Sequence, residues 1–314
     1  MKKFFALIAV ILTFSLNAGE KALAVATIPP LQSLAAAVAG DTARAVSLLA
    51  PGKSPHDYAF TPADIATLAQ AKVWLTIGLP LETPLRERLQ AGHPQLLIAD
   101  TIHGIKLLPM DAAHHHAHAE EGHHHDAHAE EEHGHHHDAH TEEEHGHHHH
   151  DADGMDPHVW LDPLRAVTIA ENIRDAFSKA WPENRETYAR NTAKLVADLR
   201  ELDKELQTAL APEKGKKIIV FHPAFGYFCG RYGLTQLPIE LDGRAPSAAW
   251  LGQVIRTAKA ENIKVVFVQP QFNTAAAQTA ARAINGTVAE FDALPADYPG
   301  YLRQLAGRLR TPEK

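Results

Sequence analysis

Eighteen of the chain's 23 histidines fall between residues 114 and 150, together with ten acidic residues and no lysine or arginine. They are His114, His115, His116, His118, His123, His124, His125, His128, His133, His135, His136, His137, His140, His145, His147, His148, His149 and His150. Two successive twelve-residue units, 123–134 and 135–146, differ only at Ala129 versus Thr141. The stretch contains no aromatic and no branched aliphatic residue, so ordering it would cost conformational entropy with no apolar burial to offset it. Stacked architectural repeats usually run to ~20 residues or more and carry an apolar face, whereas this one has only alanine. Residues 112–154 are therefore expected to be a disordered insert in a folded body that resumes on both sides.

The insert still has a chemistry. Neutral imidazole is a good ligand for zinc, copper and nickel, and flexible imidazole and carboxylate groups can surround an ion in many ways. Many weak sites are expected, acting as an auxiliary collector of metal. Because free imidazole titrates near pH ~6.5, acidification should release that metal.

Outside the insert the composition is ordinary. The 314 residues are 45% hydrophobic, enough for one large or two modest globular domains. Removing the ten insert acids from 38 and two leading lysines from 30 leaves 28 of each sign, so the formal charge of −8 sits largely in the insert. An acidic balance argues against a nucleic-acid partner. A single cysteine excludes a disulfide framework and a four-cysteine zinc site. Residues 1–18 read as an export leader: Lys2 and Lys3, an apolar run from Phe4 to Leu16, then Asn17 and Ala18. That run is too short for the ~20 residues of a spanning helix. No cysteine lies near its end, so an exported product without a lipid anchor is expected.

Helical and extended patterns alternate along the rest, which predicts α/β layers with largely parallel sheets. Strands are expected over residues 22–28, 45–49, 72–77, 95–99, 216–221, 264–269 and 287–291, and helices over 31–39, 247–260, 274–285 and 298–310. Thr61-Pro62 and Asp162-Pro163 each pair a capping side chain with proline in the first turn, opening helices toward Gln70 and Trp181. After Pro182 an apolar stripe runs through Tyr188, Thr192, Leu195, Leu199, Leu202, Leu206 and Leu210 at spacings of three and four. A helix of that length would be ~38 Å long, enough to bridge two lobes. The expected organisation is a leader over 1–18, a first lobe over 19–184, a linking helix over 185–210 and a second lobe over 211–314.

Five histidines lie outside the insert: His56, His93, His103, His158 and His222. Three sit beside proline near predicted strand ends or turns, in Ser54-Pro55-His56-Asp57-Tyr58, Asp156-Pro157-His158-Val159-Trp160 and Phe221-His222-Pro223. In open α/β sheets ligands sit beyond the carboxyl ends of strands, which makes these positions the ones to inspect. Any one of them alone is more often a hydrogen-bonded structural residue than a ligand.

Taken together, Pro51-Gly52-Lys53-Ser54-Pro55-His56-Asp57-Tyr58, Asp156-Pro157-His158-Val159-Trp160-Leu161-Asp162-Pro163 and Phe221-His222-Pro223-Ala224-Phe225-Gly226-Tyr227-Phe228 resemble the metal-binding solute-binding proteins of bacterial ABC importers. The resemblance is strongest to the zinc-specific, ZnuA-like branch. It implies two lobes joined by one long helix, with metal in the cleft between them. It also implies His56 and His158 as ligands from the first lobe, His222 from the second, and Asp292 as an uncertain fourth whose place water can take. An imidazole at 222, where the manganese and iron branch typically has glutamate, suits zinc. Asp57 and Glu240 are weaker candidates for outer partners. Pro223 stands where the family often has an acidic residue. Trp160 and Phe225 are expected to pack around the site, and Cys229 to be buried packing.

The implied function is capture of Zn2+ in the periplasm by a monomer and delivery to an ABC transporter membrane permease. The alternatives are manganese, iron or nickel uptake on the same fold, a soluble zinc buffer, and, remotely, a zinc hydrolase. The sequence has no His-Glu-x-x-His, no Gly-x-Ser-x-Gly and no phosphate-cradling glycine loop to favour the last, so no enzymatic activity is expected.

Overall fold

The computed structural model describes residues 22–110, 154–240, 244–272 and 274–310. The leader and the eighteen insert histidines lie outside the described residues.

Two four-stranded sheets of parallel strands share one order. The first contains β1 (Ala22–Ala26), β2 (Ala43–Ser47), β3 (Val73–Thr76) and β4 (Leu97–Asp100), arranged β2-β1-β3-β4. The second contains β5 (Lys217–Val220), β6 (Thr235–Pro238), β7 (Val265–Val268) and β8 (Thr287–Glu290), arranged β6-β5-β7-β8. In register, Ala24 pairs with Ala45 and Val73, and Ile219 with Leu237 and Val266. In this order the chain leaves the first strand of each sheet toward one side and the third toward the other. A crevice opens between them at the carboxyl ends.

Helices α1 (Pro29–Ala39), α2 (Pro62–Gln70), α3 (Glu82–Gly92) and α4 (Pro163–Ala180) belong to the first half of the chain. Helices α6 (Gly226–Tyr232), α7 (Ala248–Ala260), α8 (Ala275–Ala283) and α9 (Tyr298–Arg310) belong to the second. The predicted caps form. Thr61 Oγ1 accepts from Asp64 N–H at 3.2 Å while the Asp64 carboxylate accepts from Thr61 N–H at 2.7 Å. Asp162 Oδ1 accepts from Leu164 N–H, and Ser247 Oγ from Trp250 N–H.

Between the halves runs α5 (Arg185–Leu210), a 26-residue helix whose whole predicted stripe is buried. It packs against α1 and α4 on one side and α9 and α6 on the other. The strand period of two decides which residues meet it. Ala24, Ala26, Val73 and Leu75 of the first sheet, and Ile218 and Val220 of the second, share one central core with Leu199 and Leu206. Alternate residues face outward: Val25 and Trp74 pack with Leu68 and Leu85, and Ile219 and Val266 with Trp250 and Val254. The α/β two-lobed fold thus has a core continuous through the linking helix.

Two elements escape the sequence pattern. Helix α3 buries only Glu82, Leu85 and Leu89, too narrow a stripe to read against its charged face. Strand β6 is four residues long and includes a buried glutamine, Gln236. Pro109 and Met155 form an antiparallel bridge, with Met110 N–H donating to Gly154 O and Asp156 N–H to Leu108 O.

Candidate metal centre

His222 lies two residues beyond β5, at the crevice between β5 and β7. Gln269, just beyond β7, grips its main chain from both sides: His222 N–H donates to Gln269 Oε1 at 3.2 Å, and Gln269 Nε2 donates to His222 O at 3.0 Å. The ring stacks on Phe272, centroids 4.9 Å apart and planes 19° from parallel. Its Nδ1 lies 3.2 Å from Glu240 Oε1, a buried carboxylate two residues past β6.

His158 enters the short turn Val159–Leu161 ahead of α4 and is buried. Asp156 Oδ1 accepts from its main-chain N–H at 2.9 Å and lies 2.7 Å from its Nδ1. Both buried imidazoles therefore face a carboxylate at Nδ1. An ionised carboxylate only accepts, so Nδ1 carries the proton and Nε2 is left with the lone pair a metal needs.

His56 comes from the exposed loop between β2 and α2, its N–H donating to Ser54 Oγ at 3.1 Å. Its Nε2 lies 3.2 Å from His222 Nε2. One ligand nitrogen from each of His56, His158 and His222 falls within a group spanning at most 4.8 Å. Nitrogens bound to one tetrahedral zinc at 2.0–2.1 Å are about 3.3 Å apart, so the close pair is already at the spacing such an ion imposes. A cavity of about 20 Å³ adjoins the three rings. A water needs about 10–15 Å³ by the same kind of measure, so the space suits a single ion or water.

Electrostatics keep the donors available. Although its loop is exposed, the inner face of the His56 ring is part-buried against His222, and that desolvation first, then the neighbouring His222 and His158, lowers its pKa to about 4. Burial likewise lowers that of His222, against an opposing pull from Glu240. Both stay neutral where an isolated imidazole would be taking up protons.

Among the described residues, the group does not extend to Asp292, His93 or His103. Asp292 Oδ1 accepts from Leu294 N–H at 2.9 Å and from Gln271 Nε2 at 2.8 Å. Gln271 and Leu294 both line the cavity, so this carboxylate orders its wall. Asp57 bears on His56 only as a nearby charge. Glu240 supplies the acceptor that Pro223 cannot. Trp160 packs beside His158 at 5.2 Å between ring centroids, and Cys229 is buried, its thiol pushed up by that burial. Sequence reasoning missed Asp156, Gln269 and Phe272. The Asp-x-His spacing was a usable signal for the first; the other two depend on β7 lying beside β5.

The family profile described as "Zinc-uptake complex component A periplasmic" matches residues 24–311. A high-affinity zinc uptake system protein ZnuA of Yersinia pestis is 30% identical over 299 residues, covering 91% of this chain and 90% of that one. A zinc-binding protein AdcA of Streptococcus pyogenes serotype M1 is 31% identical over 296 residues, or 88% of this chain. The chain spans about half the length of the streptococcal relatives it matches, 52% in that case. A crystal structure of ZnuA superposes with a TM-score of 0.77 at 30% identity, covering 93% of this chain and 98% of the other. A zinc-bound ZnuA deletion mutant gives 0.76 at the same identity. A periplasmic metal-binding protein from Candidatus Liberibacter asiaticus, 17% identical with a TM-score of 0.70, shares the fold. With its two parallel sheets, its long linking helix and a match running almost end to end, this chain belongs to the ZnuA family of periplasmic zinc-uptake components.

Proposed function

We propose that the protein captures Zn2+ in the periplasm and delivers it to the membrane permease of an ABC importer. In this reading His56, His158 and His222 are the ligands, and the observation that carries it is the convergence of their ring nitrogens. Three imidazole nitrogens favour zinc over manganese, which prefers oxygen. Water takes the fourth position, with Asp292 at most bridged to the ion, since Asp292 lies outside the group of converging ligand atoms. The leader over residues 1–18 exports the chain as a free monomer. The insert histidines collect zinc weakly and raise its local concentration near the cleft.

His158 and His222 are fixed by carboxylates and by main-chain hydrogen bonds, whereas His56 stands on an exposed loop. Metal capture pins that loop to the other two rings, and release breaks coordination contacts without covalent chemistry. A loop held by the ion in loaded protein and free of it in empty protein gives a permease a state to recognise.

Competitive titration of protein lacking residues 114–150 tests this reading. One tight zinc that excess manganese fails to displace is expected. Manganese binding as tightly as zinc would overturn the choice of metal.

A further inference from the structure

By chain position the segment 156–162 belongs with the first lobe, yet residues of the second lobe hold it at three points. Trp160 Nε1 donates to Ala293 O at 2.7 Å, and Tyr298 donates to Trp160 O. Arg231 pairs with Asp162. The third point is Asp156, held by Tyr227 on the first turn of α6. The Tyr227 hydroxyl donates to Asp156 O at 2.7 Å and accepts from Leu108 N–H at 2.9 Å. Asp156 N–H in turn donates to Leu108 O at 2.7 Å, which closes a three-membered circuit at the root of the insert.

That circuit bears on His158. The main chain of Asp156 is held on one side by Leu108 and on the other by Tyr227, and its side chain holds His158 at both N–H and Nδ1. The neighbouring residue makes room: a Cβ on Gly226 would lie 2.8 Å from Asp156 Oδ2. The Tyr227 ring is buried, with the Arg165 guanidinium 4.6 Å from its centroid. Burial raises its hydroxyl to about 12, so the donor proton is retained across the physiological range. Nothing in this arrangement brings Tyr227 into the group of ligand atoms.

We propose that Tyr227 is a positioning residue for metal capture: its hydroxyl fixes the main chain of Asp156, and the Asp156 carboxylate then aims His158 Nε2 at His56 and His222. The proposal rests on the reading that these three histidines hold zinc. Tyr227→Phe keeps the ring and its packing against Arg165 but leaves Asp156 O and Leu108 N–H without their shared partner. Loss of an outer group that orients a metal-bound histidine typically weakens binding about 10–100-fold.

The test uses the full chain, with the tight site read by competition against a strong zinc chelator, which strips the weaker insert sites. Cobalt(II) absorption of the same site reports ligand geometry, which a merely structural role would leave unchanged. Tyr227→Phe is expected to lower tight-site zinc affinity about 10-fold or more and to shift the cobalt bands. It should add no further loss in an Asp156→Ala background, because both act by one route. Gly226→Ala, which retains the hydroxyl but crowds Asp156, is expected to shift the same bands and keeps the test informative if Tyr227→Phe folds poorly. A Tyr227→Phe protein with wild-type affinity and an unchanged cobalt spectrum would overturn the proposal, as would full additivity with Asp156→Ala. A wild-type chain with no tight zinc would instead defeat the underlying ligand assignment.

Discussion

His56 Nε2 and His222 Nε2, separated by 166 positions in the chain, lie 3.2 Å apart. Two neutral imidazoles that present lone pairs to each other at this distance repel unless a proton or a cation lies between them. A neutral His56 supplies that proton as Nε2–H donating to the His222 Nε2 lone pair, and carries it on Nδ1 instead when a cation takes the place between the two rings. His56→Ala, on an exposed loop, is expected to leave the melting temperature of metal-free protein unchanged. It should lower zinc affinity by more than the about 100-fold that bounds typical outer-partner losses. Calorimetric titration beside a thermal melt checks both, and unchanged affinity would remove His56 from the ligand set.

Glu240 is the acceptor behind His222. Glu240→Gln retains a carbonyl oxygen able to accept from Nδ1–H, and should cost little affinity. Glu240→Ala removes the acceptor and should cost about 10–100-fold. Chelator competition on the two variants separates orientation of the ring from the carboxylate's charge: equal losses would mean the charge is what matters.

Thr61-Pro62, Asp162-Pro163 and the leucine stripe of α5 are local signals, written in capping chemistry and helical spacing, and they formed as read. The three histidines were marked by adjacent prolines and by the family resemblance. Gln269 and Phe272 carried no local mark, because their contact with His222 exists only once β7 pairs with β5. Asp292 was marked by the family resemblance alone, and its hydrogen bonds to Leu294 and Gln271 likewise depend on how the chain folds.

The pKa shifts fix how binding responds to acid. His56, lowered to about 4, need not lose a proton to bind metal until the pH approaches that value, and His222 is shifted in the same direction. Tight-site zinc affinity is expected to change less between about pH 7 and pH 5.5 than that of the insert sites, which, with ordinary imidazoles near ~6.5, empty across that interval. Equilibrium dialysis of the full chain should retain more than one zinc at about pH 7 and one at about pH 5.5. In the metal-free protein the sign follows from linkage: below ~6.5 the unfolded histidines take up protons that the folded ones refuse. Their contribution therefore makes stability fall as pH drops toward 4. Their pH-dependent contribution, measured by comparing denaturation of wild-type and His56→Ala protein, would have the opposite sign if burial did not depress these groups.

Glu82 does structural work at the crevice of the first sheet. Its carboxylate accepts from Ile77 N–H at 3.1 Å and Leu79 N–H at 3.0 Å, and burial raises its pKa to about 7 despite those bonds. Glu82→Ala strands two buried amides, each worth about 1–3 kcal/mol. A lower melting temperature with zinc stoichiometry unchanged is expected, and a melt at the wild-type temperature would show that the amides find other partners.

Zinc-edge X-ray absorption of protein lacking residues 114–150 and loaded with one equivalent of zinc addresses the central claim most directly. The account predicts one tightly held ion with three imidazole nitrogens at about 2.0–2.1 Å and a light fourth ligand. Fewer than three imidazoles, or no tight ion once the insert is removed, would contradict it.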